Sequence, residues 1–136
     1  MRDKVSRFTF QEIHLAFRAA LVLLEARYRL KHSSVEEMRR WATMNGKRSC
    51  PREHLLRAFG RVSGRLKATC LVRALALQCF LSRHGYTSEL RIGVGRSEKG
   101  FEAHAWLVDG EEVLEGGGQE AEEFTLLAAW PTERFP

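Results

Sequence analysis

The sequence predicts an α+β domain in which N-terminal helices are followed by an antiparallel sheet. Two observations lead there. Between residues 10 and 81 apolar side chains recur at three- and four-residue steps, whereas from residue 86 the repeat falls to two. Glycine-containing breaks at Asn45-Gly46, Ser63-Gly64, Gly85 and Asp109-Gly110 then cut both stretches into pieces of element size. A chain of 136 residues with 44% hydrophobic content can bury one modest core, so a single domain spanning 1–136 is expected. Within it 1–64 reads as a helical part, 65–116 as a helix and hairpin, and 117–136 as a tail.

The first helix is expected over 10–28, where Phe10, Ile13, Phe17, Leu21, Leu24 and Tyr28 form one apolar stripe, read as the buried face. Ser33 or Ser34, followed by Glu36 and Glu37, starts a second helix through Trp41 to Met44. Asn45-Gly46 ends it with residues that tolerate left-handed dihedrals. Pro51 suits the first turn of a third helix reaching about Val62. Thr69 is the N-cap of a fourth, in which Cys70, Leu71, Ala74, Leu75, Gln78 and Leu81 keep helical spacing until Gly85.

After Gly85 alternation marks a strand, with Tyr86, Ser88, Leu90, Ile92 and Val94 on one face. A polar loop over 95–100 leads to a second strand over 101–108, and Asp109-Gly110 reads as the turn into a short run over 111–115. Gly116 to Gly118 is a flexible stretch. The tail from 124 onward is compatible with a strand or a helix.

The net charge is +5, with Arg and Lys crowding the first two thirds and acidic residues concentrated between Glu102 and Glu123. An acidic partner suits the helical part, with Arg18, Arg27, Arg29, Arg39 and Arg40 as the place for it to dock. Nucleic acid is disfavoured, because the basic residues are not interleaved with aromatics in a recognisable motif. The most apolar stretch, 19–24, is bounded by Arg18 and Glu25, so neither an export signal nor membrane insertion is expected. Cys50, Cys70 and Cys79 are odd in number and not at metal-ligand spacing, which suits a reducing cytoplasm and no bound metal or cofactor.

Of the three cysteines Cys70 has a distinctive setting. A cysteine in the first turn of a helix meets unpaired backbone N–H groups and the positive end of the dipole, which favour a nucleophilic thiolate. A buried apolar cysteine is the structural alternative. Cys50 and Cys79 lack that setting. His104 lies on a strand between Ala103 and Ala105, sharing its face with Trp106. If Asp109-Gly110 is a two-residue loop, Val108 pairs with Glu111, Trp106 with Val113 and His104 with Glu115. Opposed Cβ atoms lie about 4.5–5.5 Å apart, so Glu115 can fix the imidazole's tautomer. Asp109 is the rival acid, displaced by its position in the turn. Cys70, His104 and Glu115 then form a nucleophile, base and orienting acid. Arg73, one turn after Cys70, is a candidate for binding a substrate carboxylate, with an internal ion pair or a solvated helix face as its structural alternative.

The segments Cys70-Leu71-Val72-Arg73-Ala74-Leu75, Arg83-His84-Gly85-Tyr86, Gly93-Val94-Gly95 and His104-Ala105-Trp106 together resemble the lasso-peptide leader peptidases, transglutaminase-like maturation proteases. The similarity is close over about 65–116. It implies a papain-like fold with a catalytic triad and cleavage of a ribosomally made precursor near a threonine close to the leader's end. It also implies two partners, a separate leader-recognition protein and an ATP-dependent macrolactam synthetase acting downstream. In that family the acid is Asp after a slightly longer turn; here Glu115 stands in its place. Two other readings remain at this level: an acyltransferase using the same thioester, and a basic, non-catalytic adaptor.

Overall fold

A computed structural model describes residues 9–48, 50–97, 100–116 and 125–132. Helices α1 (Phe10–His32), α2 (Val35–Thr43), α3 (Arg52–Ser63) and α4 (Cys70–Arg83) precede strands β1 (Glu89–Ser97), β2 (Gly100–Asp109), β3 (Glu112–Glu115) and β4 (Thr125–Pro131). The strands form one antiparallel sheet in the order β3-β2-β1-β4, so the expected α+β class is what the chain adopts.

Local chemistry sets the helix ends. The hydroxyls of Thr9, Ser34 and Thr69 accept from the backbone N–H of Glu12, Glu37 and Val72 at 3.2, 3.2 and 3.3 Å, each satisfying an otherwise orphaned donor. Gly85 closes α4 with φ +82°, and its N–H and that of Tyr86 return to the carbonyls of Ser82 and Leu81. The break after α2 works differently from the expectation. Met44 is the extended C-cap, and Gly46 is needed for closeness, not for a left-handed dihedral. Its N–H donates to Ser82 O at 2.7 Å, and a Cβ there would lie 1.9 Å from Arg83 O.

α4 is the central element, buried at Val72 and continuously from Ala74 to Ser82, and it packs against α1, α2, α3 and β2. α1 is as long as expected but turned over. Leu15, Ala19, Val22, Leu23 and Ala26 are its buried face, while Phe10, Ile13, Phe17, Leu21, Leu24 and Tyr28 are 49–88% exposed. The helix is apolar on both sides, and the side bearing Ala19 and Ala26 admits the closer approach to α3 and α4.

β1 and β2 pair in continuous register from Glu89↔Val108 to Ser97↔Gly100, so 95–97 and 100 of the loop expected over 95–100 are strand, and residues 98 and 99 lie outside the described residues. The first strand starts at Glu89; Tyr86 lies before it and donates its hydroxyl to Cys50 O at 2.7 Å. Gly117 and Gly118 of the expected flexible stretch also lie outside the described residues. The tail supplies β4, which pairs with β1 across a bulge at Ile92/Gly93. A polar clasp anchors it: Thr132 Oγ1 accepts from Ser88 N–H, donates to Ser88 O and lies 3.2 Å from Ser82 Oγ. Gln78, wholly buried on α4, donates to Trp130 O at 2.6 Å.

Candidate active site

Cys70 is the first residue of α4, partly buried, one position after the Thr69 cap. It stands at the helix start, where backbone N–H groups lack intrahelical partners, and the first turn carries no acidic residue to oppose an anion there. The other two cysteines differ. Cys79 has no exposed surface, and burial pushes its thiol up to about 12. Cys50 sits before Pro51 with its carbonyl held by Tyr86.

His104 is half-buried on β2, directly opposite Gly93 of β1. Paired residues project to the same face, so the cross-strand partner itself adds no side chain beside the imidazole. On the other flank the ring lies against Trp106, with centroids 6.1 Å apart and planes tilted by 21°. Nε2 is 2.5 Å from the carbonyl oxygen of Gly116. A carbonyl only accepts, so Nε2 carries a hydrogen, and the tautomer this selects for a neutral ring has Nδ1 as its basic nitrogen.

The β2–β3 register differs from the expected one. Asp109 pairs with Glu112 and Val108 with Val113, which makes Gly110-Glu111 the two-residue loop, with Gly110 at φ +63°. A bulge follows, and Glu115 stands opposite Leu107, not His104. Arg52 contributes to this choice. It donates to Asp109 at 2.7 Å and Glu112 at 2.9 Å, drawing two opposed carboxylates together. Its pKa is raised, first by the hydrogen bond to Glu112 and then by the charges of Glu112, Asp109 and Glu53. Asp109 is thus engaged at the turn, five residues or roughly 16 Å along the strand from His104.

Arg73 and Glu115 meet instead, with Nε 4.0 Å from Oε1. A path from Cys70 to His104 can be followed through them. Arg73 is one turn after Cys70, it contacts Glu115, and the next residue, Gly116, holds His104. Arg73 Nε is otherwise buried without a hydrogen-bond partner among the described residues. The residue missed from sequence is Gly116. Its φ is +74°, and a Cβ would lie 2.9 Å from Ala105 O, so only glycine seats this carbonyl without strain. The run Gly116-Gly117-Gly118 was the available signal. Among the described residues no group of three or more His, Cys, Asp or Glu side chains is gathered to hold a metal ion.

The site thus sets a helix-borne cysteine against an antiparallel sheet that carries a histidine, and the pattern of the transglutaminase-like superfamily fits residues 13–129. The chain belongs to the transglutaminase-like superfamily. Its members are typically cysteine peptidases or acyltransferases, and both chemistries pass through an acyl-thioester. No curated protein and no solved structure matches the chain. Among the described residues no helix is long and apolar enough to cross a membrane.

Proposed function

We propose that this transglutaminase-like protein is a cysteine peptidase that removes the leader from a ribosomally made precursor of the lasso-peptide type. The observation that carries the chemistry is the contact of His104 Nε2 with Gly116 O at 2.5 Å: with the ring donating there, the role of taking the Cys70 proton falls to Nδ1. The thiolate then attacks the scissile carbonyl, and backbone N–H groups at the start of α4 stabilise the oxyanion. His104 returns its proton to the departing amine of the core peptide. Water attacks the thioester, its proton passing to His104, and releases the leader as a carboxylic acid. Glu115 is the acid of the set. It acts from beside Gly116, whose carbonyl holds His104, and is itself positioned by Arg73 at 4.0 Å.

Arg73 and Trp106 shape the substrate side of this site. Trp106, 5% exposed, braces the imidazole, and Arg73 is divided between Glu115 and an incoming peptide carboxylate. A separate leader-recognition protein would present the precursor and an ATP-dependent macrolactam synthetase would close the ring of the released core.

Mass spectrometry of a lasso-type precursor co-produced with a leader-recognition protein tests the reading. Wild type should give free leader and core, with one oxygen from labelled water in the leader's new carboxylate. Cys70→Ala should give neither. A leader amide formed with a supplied amine, without hydrolysis, would make the protein an acyltransferase. Undiminished cleavage by Cys70→Ala would reject the nucleophile and favour the adaptor reading.

A further inference from the structure

α1 displays an apolar stripe on the side away from the core. Phe10, Ile13, Phe17, Leu21, Leu24 and Tyr28 are 88, 56, 62, 50, 49 and 64% exposed. They follow helical spacing from Phe10 to Tyr28, about 27 Å of helix. A stripe of this size on a helix whose opposite face already forms the core has no part in holding the domain together. Beside it a groove of about 340 Å³ opens between α1 and α4, lined by Phe17, Leu21, Phe80, His84, Arg18 and Arg83.

The charges around the stripe identify what would cover it. Both carboxylates of α1 are engaged, Glu12 with Arg61 at 3.8 Å and Glu25 with Arg29 at 2.8 Å and the Trp41 indole at 3.0 Å. Arg18 and Lys31, which flank the stripe on opposite sides, form no ion pair with a described residue. A second copy of the chain would set these cations against their own kind, on molecules that each carry +5. An acidic occupant removes that conflict.

We infer that α1 and the α1–α4 groove form a docking surface for an amphipathic, acidic helix of a partner protein, whose apolar residues lie along the stripe and whose carboxylates meet Arg18 and Lys31. The surface is independent of the chemistry at Cys70.

The test is fluorescence anisotropy of the full chain with a labelled synthetic 18-residue helix bearing leucines at three- and four-residue steps, flanked by glutamates. The control peptide carries lysines in their place. Binding at micromolar concentration is expected for the glutamate peptide, weaker by about tenfold or more for the lysine peptide and for Phe17→Asp/Leu21→Asp. Circular dichroism checks that the doubly substituted protein is folded. Arg18→Glu, a surface change, should narrow the preference for the glutamate peptide. Equal binding of both peptides, no binding of either, or insensitivity to all these substitutions would overturn the inference. So would a dimer in sedimentation velocity that Leu21→Asp abolishes, since the occupant would then be a second copy.

Discussion

Gly116 carries a demand that no side chain could meet: its carbonyl must reach His104 Nε2 while its own Cα passes close to Ala105 O. In Gly116→Ala the added Cβ pushes that carbonyl away and frees the ring to change tautomer. A leader-cleavage assay should then show kcat down by about tenfold or more, within the ~10²–10⁴-fold that acid–base catalysis supplies. KM should be unchanged and the pH–rate profile shifted. An unchanged profile at reduced kcat would mean a structural effect only. The positions of Cys70 at a helix start and of His104 on a strand were legible in the sequence because they follow from hydrophobic period and an N-cap. Gly116 was not, because its contribution is a main-chain atom, and Glu115 was misplaced because an opposed pair depends on register. Cys79 supports a separate expectation. Its thiol is raised by burial to about 12, so the folded state favours the protonated form. The resulting stability is complete below the unfolded-state value of about 8.5 and is lost as pH rises from there toward 12. Thermal melts between pH 8 and 10.5 should show Tm falling for wild type. The fall should be shallower for Cys79→Ala, whose starting stability is lower because of the cavity it leaves. Parallel curves would contradict this assignment.

Among the elements, α4 joins fold and chemistry, since one helix supplies both the core and the residue Cys70. Thr69→Ala removes the hydroxyl that accepts from Val72 N–H and should cost about 1 kcal/mol in denaturant unfolding. It should also lower activity more than that loss alone explains, because fraying begins at Cys70. At the far end, Gly46→Ala would drive a Cβ to 1.9 Å from Arg83 O and separate the α2–α3 connection from α4. The expected loss is well above that of Thr69→Ala, and a melting temperature within a degree of wild type would show that this approach is not needed. The helices were legible because their periods and caps are local. The face of α1 was not, since both sides are apolar and the sequence lacks a term for how closely two helices can approach. The β2–β3 turn was misread by one residue because Asp109-Gly110 and Gly110-Glu111 both offer glycine a left-handed position. Arg52, 57 residues from Asp109 in the chain, holds the observed choice.

Over the whole molecule, the helices bury α4 from three sides while the sheet closes its remaining flank, leaving the helix start and the β2–β3 end of the sheet to frame the site. β4 had to be learned from the structure: Thr125–Pro131 is alanine-rich and ends in proline, and only pairing with β1 and the clasp through Thr132 fix it as a strand. The class, the four helices of the described residues and the position of the cysteine helix before the sheet all follow from the sequence, because they rest on hydrophobic period. The central claim is that Cys70 is a nucleophile activated by His104. It can be tested without a substrate by following the rate of iodoacetamide alkylation of Cys70, read by peptide mass spectrometry between pH 5 and 9, with Cys50 as the internal reference. The account predicts that at pH 6–7 Cys70 reacts much faster than Cys50 in wild type and loses that advantage in His104→Ala. Equal rates for the two cysteines, or a Cys70 rate indifferent to His104, would contradict it.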